Sequence, residues 1–309
     1  MKISVIIVTQ NRNVQLKRCI LSLINGTIIP HEIIVIDNNS TDDTNEVMQN
    51  LIRRYPQVNI TYMLEPKIGI SYARNTGLKK ASGNIIAFTD DDCIVHKYWV
   101  VNIIKAHKKY RDYVAIGGLT LNYKNTVISS IFDAFRQFWT YEAAINQINR
   151  ADVFLKEFDV ISLATQNISY KKNRIKCLRF NEELTVTEAV DFSWQILKRS
   201  GKILYNNKMI VYHEYSNRIL VLTKKFFIYG WFIFLLKQHA IQKNYLPKRK
   251  KKLISNILIP YNVFLYIKRN KLLCLILIMY TFLVYSVGYA LVFSSGKYRT
   301  ALKRISNYF

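Results

Sequence analysis

No aspartate or glutamate follows Glu214. From Tyr215 to Phe309 there are 17 lysines and arginines with nothing to offset them, whereas the first 214 residues set 28 basic against 20 acidic side chains. That excludes a uniform electrostatic environment: the chain has a mildly basic part of +8 and a strongly basic tail of +17. Cysteine is scarce. Cys19, Cys93, Cys177 and Cys274 lie far apart without paired spacing, which excludes a disulfide or zinc framework and fits reduced thiols in a cytosolic setting. Glycine-rich phosphate loops are missing; neither G-x-G-x-x-G nor a P-loop occurs. No nucleic-acid motif accompanies the basic residues, so nucleic acid is not an expected partner. Met1-Lys2 leads into a strand-like segment without a small-residue cleavage site, so no secretory signal is expected there.

Half of the chain is hydrophobic, and 309 residues are enough for one large core or two modest ones. Four apolar runs, 2–9, 32–39, 59–66 and 84–92, are rich in Ile and Val and predict strands buried on both faces. Between the first two, Leu16, Ile20, Leu23 and Ile24 recur at helical spacing. After the second, Ser, Thr and Asp capping candidates precede a helix with Val47, Leu51 and Ile52 on one face. Gly69 opens a third helix that closes near Gly83. Strand–helix–strand repeats predict right-handed crossovers in an open α/β sheet, whose ligands bind beyond the carboxyl ends of the strands.

Those ends are polar. They read Thr9-Gln10-Asn11, Asp37-Asn38-Asn39-Ser40, Glu65 and Asp90-Asp91-Asp92. Three adjacent carboxylates repel one another, and a divalent cation brought by an anionic ligand would resolve the conflict. Read singly, Asp90–Asp92 could be a helix start, Asp37 a turn residue and Glu188 a helix cap.

The tail alternates charge with apolar stretches. Residues 272–293 form a run of 22 without charge, enough to cross the ~30 Å hydrocarbon core. Shorter apolar runs cover 226–236 and 253–267, and basic clusters sit at 248–252 and 268–271. This pattern predicts a helical region, 216–309, attached to an anionic membrane surface on the cytoplasmic face, with 272–293 spanning or lying in plane. A truncation near Ser216 is expected to be soluble and to keep nucleotide binding. The alternative is a helical subdomain packed on the first domain.

The ordered set "SVIIVTQNR", "EIIVIDNNSTDDT", "GISYARNTGLKKASGNIIAFTDDDCIVHKYW" and "LATQNISYKKN" resembles the motifs of family 2 inverting glycosyltransferases, over roughly residues 3–215. The resemblance implies a GT-A, Rossmann-like, mostly parallel sheet flanked by helices. Residues 1–120 would be the nucleotide-binding half and 121–215 the acceptor-side half. It implies that Thr9, Asn11 and Asp37 meet the nucleobase and that Arg74 lies near base and diphosphate. Asp90 and Asp91 would lie on the sugar nucleotide. Asp92, with Asp90 and His213, would hold Mn²⁺ or Mg²⁺, and Asn167 would lie on the acceptor side. The reaction implied moves a sugar from a nucleoside-diphosphate donor to a lipid-linked or cell-envelope glycan; the runner-up acceptor is a polyisoprenyl phosphate.

One position departs from the pattern. The family's base is the Asp of an acidic pair, but here Glu188 is followed by Ala189, and Gln195 stands where Arg is common. An alanine cannot accept a proton. Three readings stay open: a deliberate Asp-to-Ala replacement, a neighbouring carboxylate (Glu188 or Asp191) acting as base, or a catalytically silent sugar-nucleotide-binding membrane protein.

Overall fold

The computed structural model describes residues 1–124, 126–144, 152–184, 186–228 and 271–294. Residues 229–236 of the apolar run 226–236, the run 253–267 and the basic cluster 248–252 lie outside the described residues, as do Lys268 and Arg269.

The four predicted strands form as Ile3–Thr9 (β1), Glu32–Asp37 (β2), Ile60–Leu64 (β3) and Ile85–Phe88 (β4). They pair in parallel, with β1 between β2 and β4 and with β3 outside β2. The crossovers are Asn13–Ile24 (α1), Thr44–Arg54 (α2) and Ile70–Lys80 (α3). Leu16, Ile20, Leu23 and Ile24 of α1 are buried as their spacing predicts. In α2 the buried face is Thr44, Met48 and Leu51, while Val47 and Ile52 are only partly covered. That face follows the i, i+4, i+7 row that lies over the sheet.

The chain continues through Cys93–Val95 (β5), Trp99–Lys109 (α4), Tyr113–Asn122 (β6) and Val127–Glu142 (α5). Asp152–Leu155 (α6), Phe158–Asp159 (β7), Ile168–Lys171 (β8) and Lys172–Ile175 (α7) follow. Glu188–Lys198 (α8) and Lys202–His213 (β9) complete a nine-stranded sheet. Its order is β3-β2-β1-β4-β8-β6-β9-β5, with β7 against β9. The second half is mixed: β8 runs antiparallel to β4 and β6, while β6 and β9 are parallel. At the register shift after Gly118 a Cβ would come within 2.2 Å of the Met209 carbonyl oxygen, so only glycine allows this approach.

Two apolar layers cover the sheet. One joins α1, α2 and α4 to it, and the other joins α3 and α8. A third cluster lies apart: Ile131, Phe132 and Phe135 of α5 pack with Tyr215, Leu222, Phe226 and Ile278. From sequence the segment 135–145 could be core or an acceptor-side helix; its Phe135 is part of this cluster. Leu222 and Phe226 belong to a helical stretch, 219–228, and Ile278 to a C-terminal helix, Lys271–Ser294. Side chains of that last helix are described over 276–287, and among the described residues no helix is long and apolar enough to cross a membrane.

A buried histidine in α4 sets a pH dependence. His107 is buried, its Nε2 lies 2.9 Å from Ser169 Oγ, and burial, helped by Lys171, pushes its pKa down from 6.5 to about 3. The unfolded chain therefore takes up this proton near pH 6.5 and the folded chain only near pH 3. Stability from this group is full above pH 6.5 and is lost as the pH falls. His107→Gln is expected to show a shallower loss of melting temperature between pH 7 and 4 than the parent; parallel curves would show that His107 does not drive it.

Candidate active site

The carboxyl ends of β1, β2 and β4 meet at one edge, and the chemistry-bearing residues collect there. Thr9, the last residue of β1, donates from Oγ1 to Asp91 Oδ2 at 2.8 Å. Asn11 takes a left-handed backbone conformation, φ 54°, and its Oδ1 accepts from the Thr41 amide at 2.7 Å. Asp37, at the end of β2, is 2% exposed; it accepts from the Ser40 amide and from the Tyr62 hydroxyl. These bonds fix the two loops that follow β1 and β2, and Asp37 has the turn-holding bond that its sequence context allowed.

Asp90–Asp92 form no helix start; they make the turn between β4 and β5. The β5–β9 pairing sets Cys93 opposite His213 and carries Asp92 to the histidine. His213 Nε2 lies 3.3 Å from Asp92 Oδ1, yet this buried oxygen has no hydrogen bond among the described residues, nor has His213 Nδ1. Arg12 lies across the other side: its Nη1 is 3.0 Å from Asp91 Oδ1 and 2.7 Å from Asp92 Oδ2.

Burial pushes the Asp91 carboxyl up to about 7 against the pull of Arg12, and pushes Asp90, next to Arg74, up to about 6. Asp92 is only partly buried; desolvation pushes its carboxyl up, but His213, Arg12 and Lys225 together hold it below the usual carboxylate range. Burial lowers His213 to about 4 despite Asp92, so its imidazole is neutral at pH 7. Its ring stacks on Tyr215 at 4.2 Å.

Helix α3 presents Arg74. Gly69, with φ 142°, precedes it, and the Gly69 amide donates to Asn38 Oδ1 at 2.8 Å. Arg74 is 3% exposed; it pairs with Asp90 at 3.6 Å and with Glu188 in the first turn of α8. The "ARN" motif thereby acquires a physical reading. Asn75 exchanges two 2.9 Å bonds with the Phe180 backbone and clamps the segment before α8, while Arg74 joins Asp90 to Glu188. Ala189 is 8% exposed beside Glu188, whose second oxygen has no hydrogen bond among the described residues. Asp191 is 1% exposed and accepts from Gln195 at 2.7 Å.

The Asn167 amide is engaged inside the fold. Its Oδ1 accepts from Trp99 Nε1 at 2.8 Å, and its Nδ2 donates to the Leu119 and Met209 carbonyls, both at 2.9 Å. All its donors and one acceptor are spent on bracing β6, β9 and α4, so its amide is structural and not on offer to an acceptor.

Two site residues escape the sequence reading. Arg12 stands in the quoted "QNR", directly after the polar strand end, and that position was its signal. Lys225, on the 219–228 helix, has no sequence signal. Its ammonium lies 5.5 Å from the Phe132 ring centroid, and burial lowers its pKa while the attraction of Asp92 opposes this.

A divalent cation fits these residues. The Asp92, Cys93 and His213 ligand atoms lie within 4.8 Å of one another, and the unpartnered Asp92 Oδ1 faces a neutral imidazole. Cys93 is the weak member, because burial raises its pKa and keeps it a thiol.

Comparison with known proteins bears on this site. The family model for glycosyl transferase family 2 matches residues 4–165. The chain is 27% identical over 251 residues to the GalNAc(5)-diNAcBac-PP-undecaprenol beta-1,3-glucosyltransferase of Campylobacter jejuni, covering 81% of this chain and 77% of that protein. It is 35% identical over 101 residues to the glycosyltransferase AglE of Haloferax volcanii, covering 32% and 33%. In fold it is similar to the mannosyltransferase PcManGT of Pyrobaculum calidifontis, solved with GDP-Man and Mn²⁺, with a TM-score of 0.63 at 14% identity over 99% of this chain and 85% of that one. GalNAc-T7, solved with UDP, GalNAc and Mn²⁺, gives 0.55 at 16% identity over 70% and 44%. Matched over just more than half its length and carrying the polar edge described above, the chain belongs to glycosyl transferase family 2 and is a glycosyltransferase of the GT-A fold.

Proposed function

We propose that this protein moves a sugar, with inversion, from a nucleoside-diphosphate donor to a lipid-linked or cell-envelope glycan at the cytoplasmic face of a membrane. The observation that carries the reading is the Asp90–Asp92 turn, with one Asp92 oxygen unpartnered beside His213. The Campylobacter relative, whose name gives an undecaprenol-linked substrate, supports a lipid-linked acceptor. The tail's 17 basic residues support a membrane surface, as does the exposed stripe Ile276, Met279, Leu283 and Val287 on the C-terminal helix.

Asp92, with Asp90 and His213, would hold Mn²⁺ or Mg²⁺, which supplies a Lewis acid for the leaving diphosphate. Arg74 and Lys225 bring positive charge to the same edge. Thr9 orients Asp91, and the loops held by Asn11 and Asp37 form the wall for the nucleobase. Glu188 is tied to Arg74, which fixes the start of α8 and with it the position of residue 189.

The test is calorimetric. Mn²⁺ is expected to strengthen binding of UDP or GDP to the parent protein by at least about tenfold, equivalent to ~1.4 kcal/mol. Asp92→Asn should bind nucleotide equally with and without Mn²⁺. The same affinity in both proteins, whatever the metal, would remove the basis of the reading.

A further inference from the structure

Arg12 occupies an unusual position for an arginine at the mouth of a site. A single nitrogen, Nη1, reaches two carboxylates, 3.0 Å from Asp91 Oδ1 and 2.7 Å from Asp92 Oδ2. A guanidinium used as a structural clasp frequently meets one carboxylate through two nitrogens. One cationic centre shared between neighbouring carboxylates is the arrangement of a metal ion. The two arginines of the site also differ. Arg74 has its side chain 4% exposed and is locked between Asp90 and Glu188, whereas the Arg12 side chain keeps 35% of its surface open. The backbone beneath Arg12 is fixed, because Asn11 bonds to Ser40 and Thr41 across the loop after β2. Beyond that fixed backbone the long side chain is partly exposed, and it lies at the same edge to which the ligand comes.

The charges set the consequence. Asp90, Asp91, Asp92 and Glu188 are four carboxylates, with Arg74 already spent between two of them. Without an added cation, Arg12 in direct contact, with Lys225 farther off, supplies the charge that Asp91 and Asp92 lack. With a divalent ion beside Asp92, Arg12 in this pose would set like charges a few ångströms apart, which is strongly repulsive in a partly buried site. A nucleoside diphosphate removes the conflict. Its phosphates are a better partner for a guanidinium fork than a carboxylate already neutralised by metal.

We propose that Arg12 is an internal counter-cation for Asp91 and Asp92 that transfers to the donor's diphosphate, so that metal and donor enter the site together and metal alone binds weakly. This rests on the metal and donor site described under Proposed function. It makes Arg12 a donor-binding residue that also discriminates between the loaded and the empty site.

The experiment measures free Mn²⁺ by electron paramagnetic resonance, with the full chain and no activity assay. In the absence of nucleotide, Arg12→Gln is expected to bind Mn²⁺ about tenfold or more tightly than the parent, because the competing charge is gone. At saturating Mn²⁺ the same variant should bind the tighter of UDP and GDP about tenfold more weakly. Arg12→Lys, which keeps the charge without the fork, should stay near the parent for Mn²⁺ alone and fall between the two for nucleotide. Unchanged or weaker Mn²⁺ binding by a folded Arg12→Gln would overturn the proposal and leave Arg12 as a structural clasp. Should that variant not fold, the parent protein decides the matter through the Arg12 Nε–H resonance. It should shift little with Mg²⁺ alone and strongly with Mg²⁺ plus nucleotide; a full shift with Mg²⁺ alone, or none with both, overturns it. If the parent binds neither nucleotide in the presence of Mn²⁺, the functional reading fails, while the metal-only arm still reports on Arg12.

Discussion

Ala189→Asp is expected to raise the turnover number by about 10²- to 10⁴-fold, equivalent to about 3–5 kcal/mol of transition-state stabilisation. Glu188 is held by Arg74, and Arg74 is held by Asp90, so residue 189 is placed relative to the Asp90–Asp92 turn by a chain of two ion pairs. On the functional reading proposed above, residue 189 is where a base would take the acceptor's proton, and the alanine methyl group cannot do so. Restoring a carboxylate adds an interaction that matters in the transition state, so donor affinity should change little. Steady-state transfer assays with a panel of nucleotide sugars, together with melting curves for both proteins, would measure this. A fully active parent, indifferent to Ala189→Asp but inactivated by Glu188→Gln, would show that the unpartnered oxygen of Glu188 is the base. Loss of activity with Asp191→Asn instead would move the base two residues along α8, to a side chain now bonded by Gln195.

Cutting the chain after Ser216 is expected to cost both solubility and ligand binding. From sequence the tail reads as separable, yet the third cluster unites both sides of that cut. Leu222, Phe226 and Ile278 are buried against Ile131, Phe132 and Phe135. Burying such side chains is worth about 1.5–3 kcal/mol each, so losing three of them removes roughly 5–9 kcal/mol as an upper estimate. A domain's whole stability is typically about 5–15 kcal/mol. The cut also removes Lys225, the cation contributed to the Asp92 region by the tail. Lys225→Met in the full chain separates the two effects: nucleotide affinity at saturating Mn²⁺ should fall about tenfold while the melting temperature changes little. Vesicle co-sedimentation completes the measurement. The full chain should bind anionic vesicles and be released by salt. A truncated protein that is soluble, melts at the parent's temperature and binds nucleotide as well would mean that 216–309 is an independent unit. A full chain indifferent to anionic lipid would confine the tail to packing on α5.

Much of this molecule is written locally. The β-branched runs place β1 to β3 within two residues of the observed bounds and overrun the carboxyl end of β4 by four, because strand burial is a property of short stretches. The same holds for α1, whose four apolar residues all face the sheet. The polar strand ends predict the edge at which the site forms, because a parallel sheet aligns its carboxyl ends. Asn167 shows where local reading stops. Its chemistry is that of a ligand-binding amide, and nothing near it in sequence shows that Trp99, Leu119 and Met209 would consume its hydrogen bonds.

The sequence by itself determined the sheet's parallel half, the crowding of Asp90–Asp92 at a strand end, the alanine at 189 and the charge asymmetry of the tail. Each is a matter of residue order and of side-chain periods that span a few residues. The tertiary structure decided the partners. Arg12 reaches Asp91 and Asp92 because β1 and β4 are neighbours, His213 meets Asp92 because β5 pairs with β9, and Lys225 arrives because α5 needs an apolar cover. Those contacts join residues far apart in the chain. They depend on strand register and on how helices share a buried surface, and no short window of sequence holds that information.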